Sequence, residues 1–331
     1  MESTRLVLAA GTTRTARIEG LSAAGADPGA TVHTPSADAE VLARGRPVDA
    51  PGLPVSPSGC PTPALVTRAV RERLDLPLTV LDAGLAAPTA APTVGVGATP
   101  GGDVRDPAPV PDAGAVVESA REAVAGTDAD RLLVAETVPG GTTTALGVLT
   151  ALGVDAPVSS SLPRNPLDRK RAVVREGLAA SGLDPGAAGP VEAIRSMGDP
   201  TLAAVAGTVT GAAAAGRRVT LAGGTQLLAG AALARALGAD APLELATTRY
   251  VADDVGDPLR EAAARLDVDL TVTDPGFGSS DHRALTPYAA GEAKEGAGMG
   301  GALALARERG VSMAAVRASV ADLYEALVAR P

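Results

Sequence analysis

The chain is short of cysteine, histidine, aromatic side chains and lysine. Its 331 residues hold one cysteine, Cys60, two histidines, one phenylalanine, three tyrosines and no tryptophan, and only Lys170 and Lys294 are lysines against 27 arginines. A single thiol excludes an internal disulfide and a cysteine-built zinc site, and it points to a reduced, cytoplasmic protein. His33 and His282 lie far apart in the chain, which leaves a histidine-based zinc site without support, so no metal is expected. An excess of positive charge is also missing. With a net charge of −9 the chain lacks the basic face that phosphate neutralisation needs, which excludes a nucleic-acid partner. Residues 1–8 carry an acid and run into polar Gly11-Thr12-Thr13, so they read as neither signal peptide nor anchor. No apolar run elsewhere reaches the length of a membrane span. Any anionic small substrate must then be held by local devices such as backbone N–H groups, because the global field is unfavourable. Abundant Ala, Gly, Asp and Val fit a GC-rich genome.

What is present is an alternation. Short β-branched or leucine-rich runs at 6–9, 78–82, 132–135, 219–222, 243–247 and 270–273 are separated by longer alanine-rich amphipathic runs, the pattern of βαβ units on a parallel sheet. Helices are expected over 36–44, 62–74, 115–125, 142–152, 167–181, 201–215, 226–237 and 258–266, within 295–309, and over 313–328. The fold class is α/β: a Rossmann-like parallel sheet flanked by helices, with a smaller helical lobe. Residues 1–331 form a single catalytic unit, with the core sheet at about 50–290 and the lobe drawn from 1–49 and 291–331. Segment 86–111 is dense in Pro, Gly, Ala and Thr and has no periodic apolar stripe, so it reads as a surface loop or covering flap.

Ligands of an open parallel sheet bind beyond the carboxyl ends of its strands, and three loops there stand out. The first reads Glu136-Thr137-Val138-Pro139-Gly140-Gly141-Thr142-Thr143-Thr144. A Gly-Gly pair lets N–H groups approach an anion, and threonines at a helix start add hydroxyl donors where the macrodipole is favourable. No lysine follows the glycines, so this is not an ATP-binding P-loop. A glycine turn with a threonine helix cap explains it too. The second, Gly223-Gly224-Thr225-Gln226, is explained almost as well by close packing and a cap as by ligand binding. The third runs from Asp274 through Gly278 to His282 and on to Gly291-Glu292-Ala293-Lys294-Glu295-Gly296-Ala297-Gly298. So many glycines are costly at an ordinary helix start, which implies a backbone or ligand constraint. The acids Asp253 and Asp254 could hold ribose hydroxyls, but Asp257-Pro258 follows in place of a phosphate loop, and a helix-capping acidic turn is the preferred reading.

Taken in order, these blocks resemble the nicotinate-nucleotide–dimethylbenzimidazole phosphoribosyltransferases, and especially their archaeal branch. Residues 136–146 resemble that family's Glu-Met-Gly-Ile-Gly-Asn-Thr-Thr phosphate loop. Val55-Ser56-Pro57-Ser58-Gly59 with the following helix, and Val80-Leu81-Asp82-Ala83-Gly84-Leu85, are similar to its base-pocket region and Val-Asp-Val-Gly-Val strand end. Val158-Ser159-Ser160-Ser161 and then Arg169-Lys170-Arg171 resemble its Gly-Arg-Gly-Thr-Gly turn and Arg-Lys helix. Gly198-Asp199-Pro200 is similar to its Gly-Gly helix entrance, and Glu295-Gly296-Ala297-Gly298 resembles the Gly-Glu-Gly-Thr-Gly-Ala loop that carries its general base.

The resemblance implies transfer of the 5-phosphoribosyl group of nicotinate mononucleotide to a heterocyclic base, with inversion to an α-ribotide. It implies Glu295 as the base with Glu292 in reserve, and Gly140, Gly141, Thr142, Thr143, Thr144 and Ser160 as the phosphate anchor. Glu136, Ser56, Asp82, Gly223, Gly224, Thr225 and Gly278 are expected around ribotide and base. No cofactor is expected; the small-molecule substrates are the partners, together with a second copy in a homodimer. Two alternatives stay open: a non-catalytic ribotide-binding protein, and a magnesium-dependent transferase using a diphosphate sugar through Asp253 and Asp254. Glu295 could also merely cap the helix that follows it.

Overall fold

The computed structural model describes residues 2–22 and 29–329. Seven strands form one sheet: β1 (Thr4–Ala10), β2 (Leu78–Asp82), β3 (Thr93–Gly95), β4 (Arg131–Thr137), β5 (Arg218–Ala222), β6 (Leu243–Thr248) and β7 (Val268–Thr273). All pair in parallel, in the order β3-β2-β1-β4-β5-β6-β7. The chain winds outward from β1 in one direction and, after β3, returns to β4 and winds the other way. The order therefore reverses between β1 and β4, and a crevice opens there beyond the strand ends. Both central strands are apolar on both faces: β4 is buried throughout and β1 almost so, as a sheet covered on both sides requires.

The helices are α1 (Thr34–Arg44), α2 (Ala64–Leu74), α3 (Ala113–Ala125), α4 (Gly141–Leu152), α5 (Leu167–Ser181), α6 (Pro190–Met197), α7 (Pro200–Ala214), α8 (Thr225–Ala236), α9 (Arg249–Val255), α10 (Asp257–Arg265), α11 (Thr286–Ala289), α12 (Met299–Glu308) and α13 (Met313–Val328). One core joins α3, α4, α7 and α8 to one sheet face, and α2, α12 and α13 close a second cluster around Phe277 and Tyr288. No helix of the described residues is long and apolar enough to cross a membrane.

Every strand expected from the alternation is present, with ends within two residues. Four differences have physical causes. The sheet begins at Thr4 and not near residue 50, because β1 pairs with both β2 and β4 at its centre. Segment 86–111 is not simply a flap: it contains β3, whose three residues are all exposed, so no buried face marks them. The rest of that segment is stitched to the end of β1 by Gly101 N–H donating to Thr12 O (2.8 Å) and Val104 N–H donating to Thr15 Oγ1 (2.9 Å). The acidic turn at Asp253-Asp254 is the C-terminal half of α9. Finally, α6, α9 and α11 are too short for a helical stripe to stand out.

Candidate active site

A cleft of about 990 Å³, its open mouth included, lies at the carboxyl ends of β1, β4, β5 and β6. Gly140, Gly141 and Thr142 line it together with Ser159, Ser160 and Ser161, with Gly224, Thr225 and Gln226, and with Lys294, Glu295 and Gly296. Residues 54–56 and 60–63 and Asp38 line it as well.

At the glycine end, Gly140 is the N-cap of α4 in the left-handed conformation (φ 82°), and no side chain caps the helix. A Cβ at Gly140 would come within 2.9 Å of the Ala16 nitrogen, so glycine is required there twice over. Among the described residues the Thr142 N–H has no acceptor. Helix α8 likewise starts at Gly224 without a side-chain cap; Thr225 Oγ1 instead accepts from Ser159 N–H at 2.9 Å. Two helix N-termini thus bring uncapped N–H groups to one end of the cleft, an arrangement that favours an anion.

The two lysines of the chain meet there. Lys170, fully buried on α5, donates through Nζ to Thr142 Oγ1 (2.9 Å) and Ser159 O (2.6 Å). Lys294 donates to Ser160 O (3.0 Å) and Leu162 O (2.6 Å), and its Nζ stands 3.7 Å from Asp254 Oδ1. Burial lowers both ammonium pKa values, that of Lys170 to about 7, while Asp254 pulls them back up. Asp254 is further engaged by Ser159 Oγ (2.6 Å), whereas Asp253 is exposed and pairs with Arg249.

Carboxyls line the floor. Glu295 Oε1 accepts from the N–H groups of Gly300 (2.9 Å) and Gly296 (3.1 Å), and its Oε2 is buried without a partner among the described residues. Burial pushes its pKa up to about 7, with those two N–H groups pulling the other way. Glu136, next to last on β4, is pushed up to about 8 by burial, then by the nearby charges of Asp199, Glu295 and Asp38. Asp38 accepts from Thr62 Oγ1 and Thr137 Oγ1, both at 2.6 Å, and burial raises it to about 6. The Glu295 loop is held in place by Ala297 N–H donating to Glu136 O (2.9 Å) and Thr248 Oγ1 donating to Lys294 O (2.6 Å). Ala293 (φ 41°) and Ala297 (φ 48°) are left-handed there without being glycine, a strained backbone of the kind found around functional groups. That strain is the constraint implied by the glycines of residues 291–301.

Of the residues singled out in the sequence, Gly140, Gly141, Thr142, Ser160, Glu136, Ser56, Gly224, Thr225 and Glu295 line this one cleft. Glu292 stands behind Ser56, accepting its hydroxyl at 2.7 Å. The others lie elsewhere. Thr143 and Thr144 point into the protein, and Thr144 Oγ1 is shared between Gly141 O and Asp199 Oδ2. Asp82 accepts from Gly84 and Leu85 N–H and holds the turn after β2. Gly223 donates its N–H to Ala246 O at the end of β5, and Gly278 sits in a single turn after β7. Lys170, Lys294 and Asp38 were not anticipated as site residues. For the lysines a signal existed: two lysines against 27 arginines are rare enough to single out. Asp38 gave none, being one acid among many on an N-terminal helix.

The chain is 57% identical over 325 residues to a UPF0284 protein of Halobacterium salinarum, covering 97% of this chain and 98% of that one. It is 41% identical to a UPF0284 protein of Methanosarcina mazei (96% and 93% covered) and 39% identical to one of Methanothermobacter thermautotrophicus (98% and 93%). No family model matches it. Among solved structures its fold is similar to that of CobT from Thermus thermophilus, with a TM-score of 0.63 and 21% identity over 98% of this chain and 84% of that one. A nicotinate-nucleotide-dimethylbenzimidazole phosphoribosyltransferase structure from the same organism matches with a TM-score of 0.61 and 20% identity (100% and 86% covered).

Proposed function

The chain belongs to the UPF0284 family, and on that premise we propose that it is a phosphoribosyltransferase moving the 5-phosphoribosyl group of nicotinate mononucleotide to a benzimidazole-type base, giving an α-ribotide for the lower ligand of a cobamide. One observation carries the reading: the uncapped helix starts at Gly140 and Gly224 and a carboxyl with a raised pKa, Glu295, line the same cleft. The fold shared with CobT supports it.

The phosphate rests against the uncapped starts of α4 and α8, with Lys170 beside it. A dianion there raises the Lys170 pKa again, so binding draws in a proton. The acceptor nitrogen attacks C1′ from the face opposite nicotinate, the C1′–N bond to nicotinate breaks, and its electron pair neutralises the pyridinium charge. The departing base therefore needs no general acid. The proton of the acceptor N–H passes to Glu295, whose pKa near 7 suits a base working at neutral pH. Glu136, protonated below about pH 8, presents an O–H donor and no second negative charge to the sugar. Rigid anchorage of the phosphate fixes C1′ for in-line attack.

The alternative that uses a diphosphate sugar requires Asp253 and Asp254 to act together on ribose. Their side chains turn to different partners, Arg249 for one and Ser159 with Lys294 for the other. The test is incubation of the pure protein with nicotinate mononucleotide and a panel of bases, with mass detection of the α-ribotide. Ribotide made in the presence of a chelator supports the proposal; nicotinate released without any acceptor would make the protein a hydrolase, and no turnover with any base would defeat it.

A further inference from the structure

The turn at residues 158–162 belongs to no helix or strand, so its buried carbonyl groups must find partners elsewhere. Every one of them does. Asn165 Nδ2 donates to Val158 O (2.7 Å), Lys170 Nζ to Ser159 O (2.6 Å), Lys294 Nζ to Ser160 O (3.0 Å) and Leu162 O (2.6 Å), and Ala293 N–H to Ser161 O (3.0 Å). Three of these five bonds come from Ala293 and Lys294, the two residues that immediately precede Glu295. An ammonium group has three donors. Lys294, which is buried, commits two of them to carbonyls, and Asp254 Oδ1 stands 3.7 Å away on α9 to face the third, which leaves none for a ligand. Lys170 differs: its Nζ holds Thr142 Oγ1 and Ser159 O and has no third acceptor among the described residues. One lysine can therefore receive an anion, and the other ties two segments of the cleft together.

Resting on the transferase reading above, we propose that Lys294 is a positioning residue: it joins the turn at residues 158–162 to the loop that carries Glu295, so that an anion seated against the turn also steadies the carboxylate. The loop needs such a tie. Ala293 is left-handed at φ 41°, a conformation that a residue other than glycine keeps only where its surroundings over-determine it. Lys294 supplies two of the bonds that do so. An anion that orders the turn then orders the loop as well, and Glu295 is fixed before the acceptor base arrives. Without the ammonium, Lys170 and Thr142 still receive the phosphate, but Glu295 is free to shift, and a misplacement of about 1 Å costs on the order of 100-fold in rate.

The test compares Lys294→Ala with the native whole chain in two ways. By mass detection of the α-ribotide, kcat is expected to fall about 10- to 100-fold with the KM for nicotinate mononucleotide little changed, whereas loss of a direct phosphate ligand would raise KM. Propylammonium, which replaces the missing Cγ-to-Nζ piece, is expected to restore part of kcat, and propanol none of it. By hydrogen exchange read by mass, inorganic phosphate is expected to slow exchange at both 158–162 and 292–298 in the native chain, and at 158–162 alone in the variant. Should the stranded Asp254 charge unfold the single variant, Lys294→Met combined with Asp254→Asn leaves no unpaired charge and is expected to show the same fall in kcat and the same lost protection. The proposal is overturned by native kcat in either folded variant, by a raised KM with kcat intact, or by rescue with propanol. Phosphate protection at 292–298 that survives loss of the ammonium, or that is missing from the native chain, overturns it too. The expected exchange pattern with no ribotide from any base would leave the coupling standing and defeat the transferase reading.

Discussion

Compared end with end, the cleft is made of opposite materials. The cradle at residues 140–142 and 159–161 gathers donors: two uncapped helix starts and both lysines of a chain whose net charge is −9. The hairpin at residues 55–61, with Asp38 and Glu292, gathers acceptors. Glu295 lines the same space, and its carboxyl when uncharged both donates and accepts. On the proposed reading, an acidic protein holds a phosphate because the field that matters acts over a few ångströms, where two helix dipoles, Lys170 and a Lys294 paired with Asp254 count for more than acids on the distant surface. The same low polarity forces Glu136, Glu295 and Asp38 to retain protons at pH values where exposed acids have lost them.

The contrast breaks most visibly at Glu295. Glu295→Gln is expected to lower kcat by about 10²- to 10⁴-fold with the KM for nicotinate mononucleotide little changed; an unaltered kcat in a folded variant removes the base assignment. Since the base acts ionised, kcat/KM of the native protein should fall about tenfold per unit as pH drops below about 7. Next comes the cradle. Lys170→Met should raise that KM by about 10- to 100-fold, the worth of a charge-assisted hydrogen bond. It should also abolish the proton uptake on phosphate binding at pH 8, read by calorimetry in buffers of different ionisation enthalpy. Uptake that persists would assign the proton elsewhere.

Smaller effects concern stability. Gly140→Ala should destabilise the chain by about 1–3 kcal/mol through its left-handed backbone alone, with close approach to Ala16 adding to it, as measured by urea denaturation. For Glu136 the folded pKa of about 8 lies above the unfolded value of 4.5. Between these limits the folded state binds more protons, so this contribution is complete below the unfolded value and is lost as pH rises through about 8. Glu136→Gln should therefore raise Tm at pH 8.5 and change it little at pH 4. An equal shift at both pH values would mean that the carboxyl is not buried in protonated form.

The donor end was far more legible in the sequence than the acceptor end. Gly140-Gly141-Thr142 announces itself because a glycine pair before a helix of threonines has few structural uses. Thr144, Asp82 and Gly278 lie near the strand ends, as Thr142 and Glu136 do, but a shift of one or two positions around a helix or turn points a side chain away from the cleft. The acceptor end involves residues 38, 56 and 292, brought together by α1, a hairpin and the segment after α11. No local pattern relates them.

The sequence alone determined the layered α/β fold, since a repeated exchange of period-two and helical apolar patterns has few other solutions, and it determined that one loop could receive an anion. Which strand lies at the centre, which lysines meet that loop, and which acids remain protonated were decided only in three dimensions. Strand order, burial and the pKa values that follow from burial depend on residues more than a hundred positions apart, and such distances leave no trace in local composition.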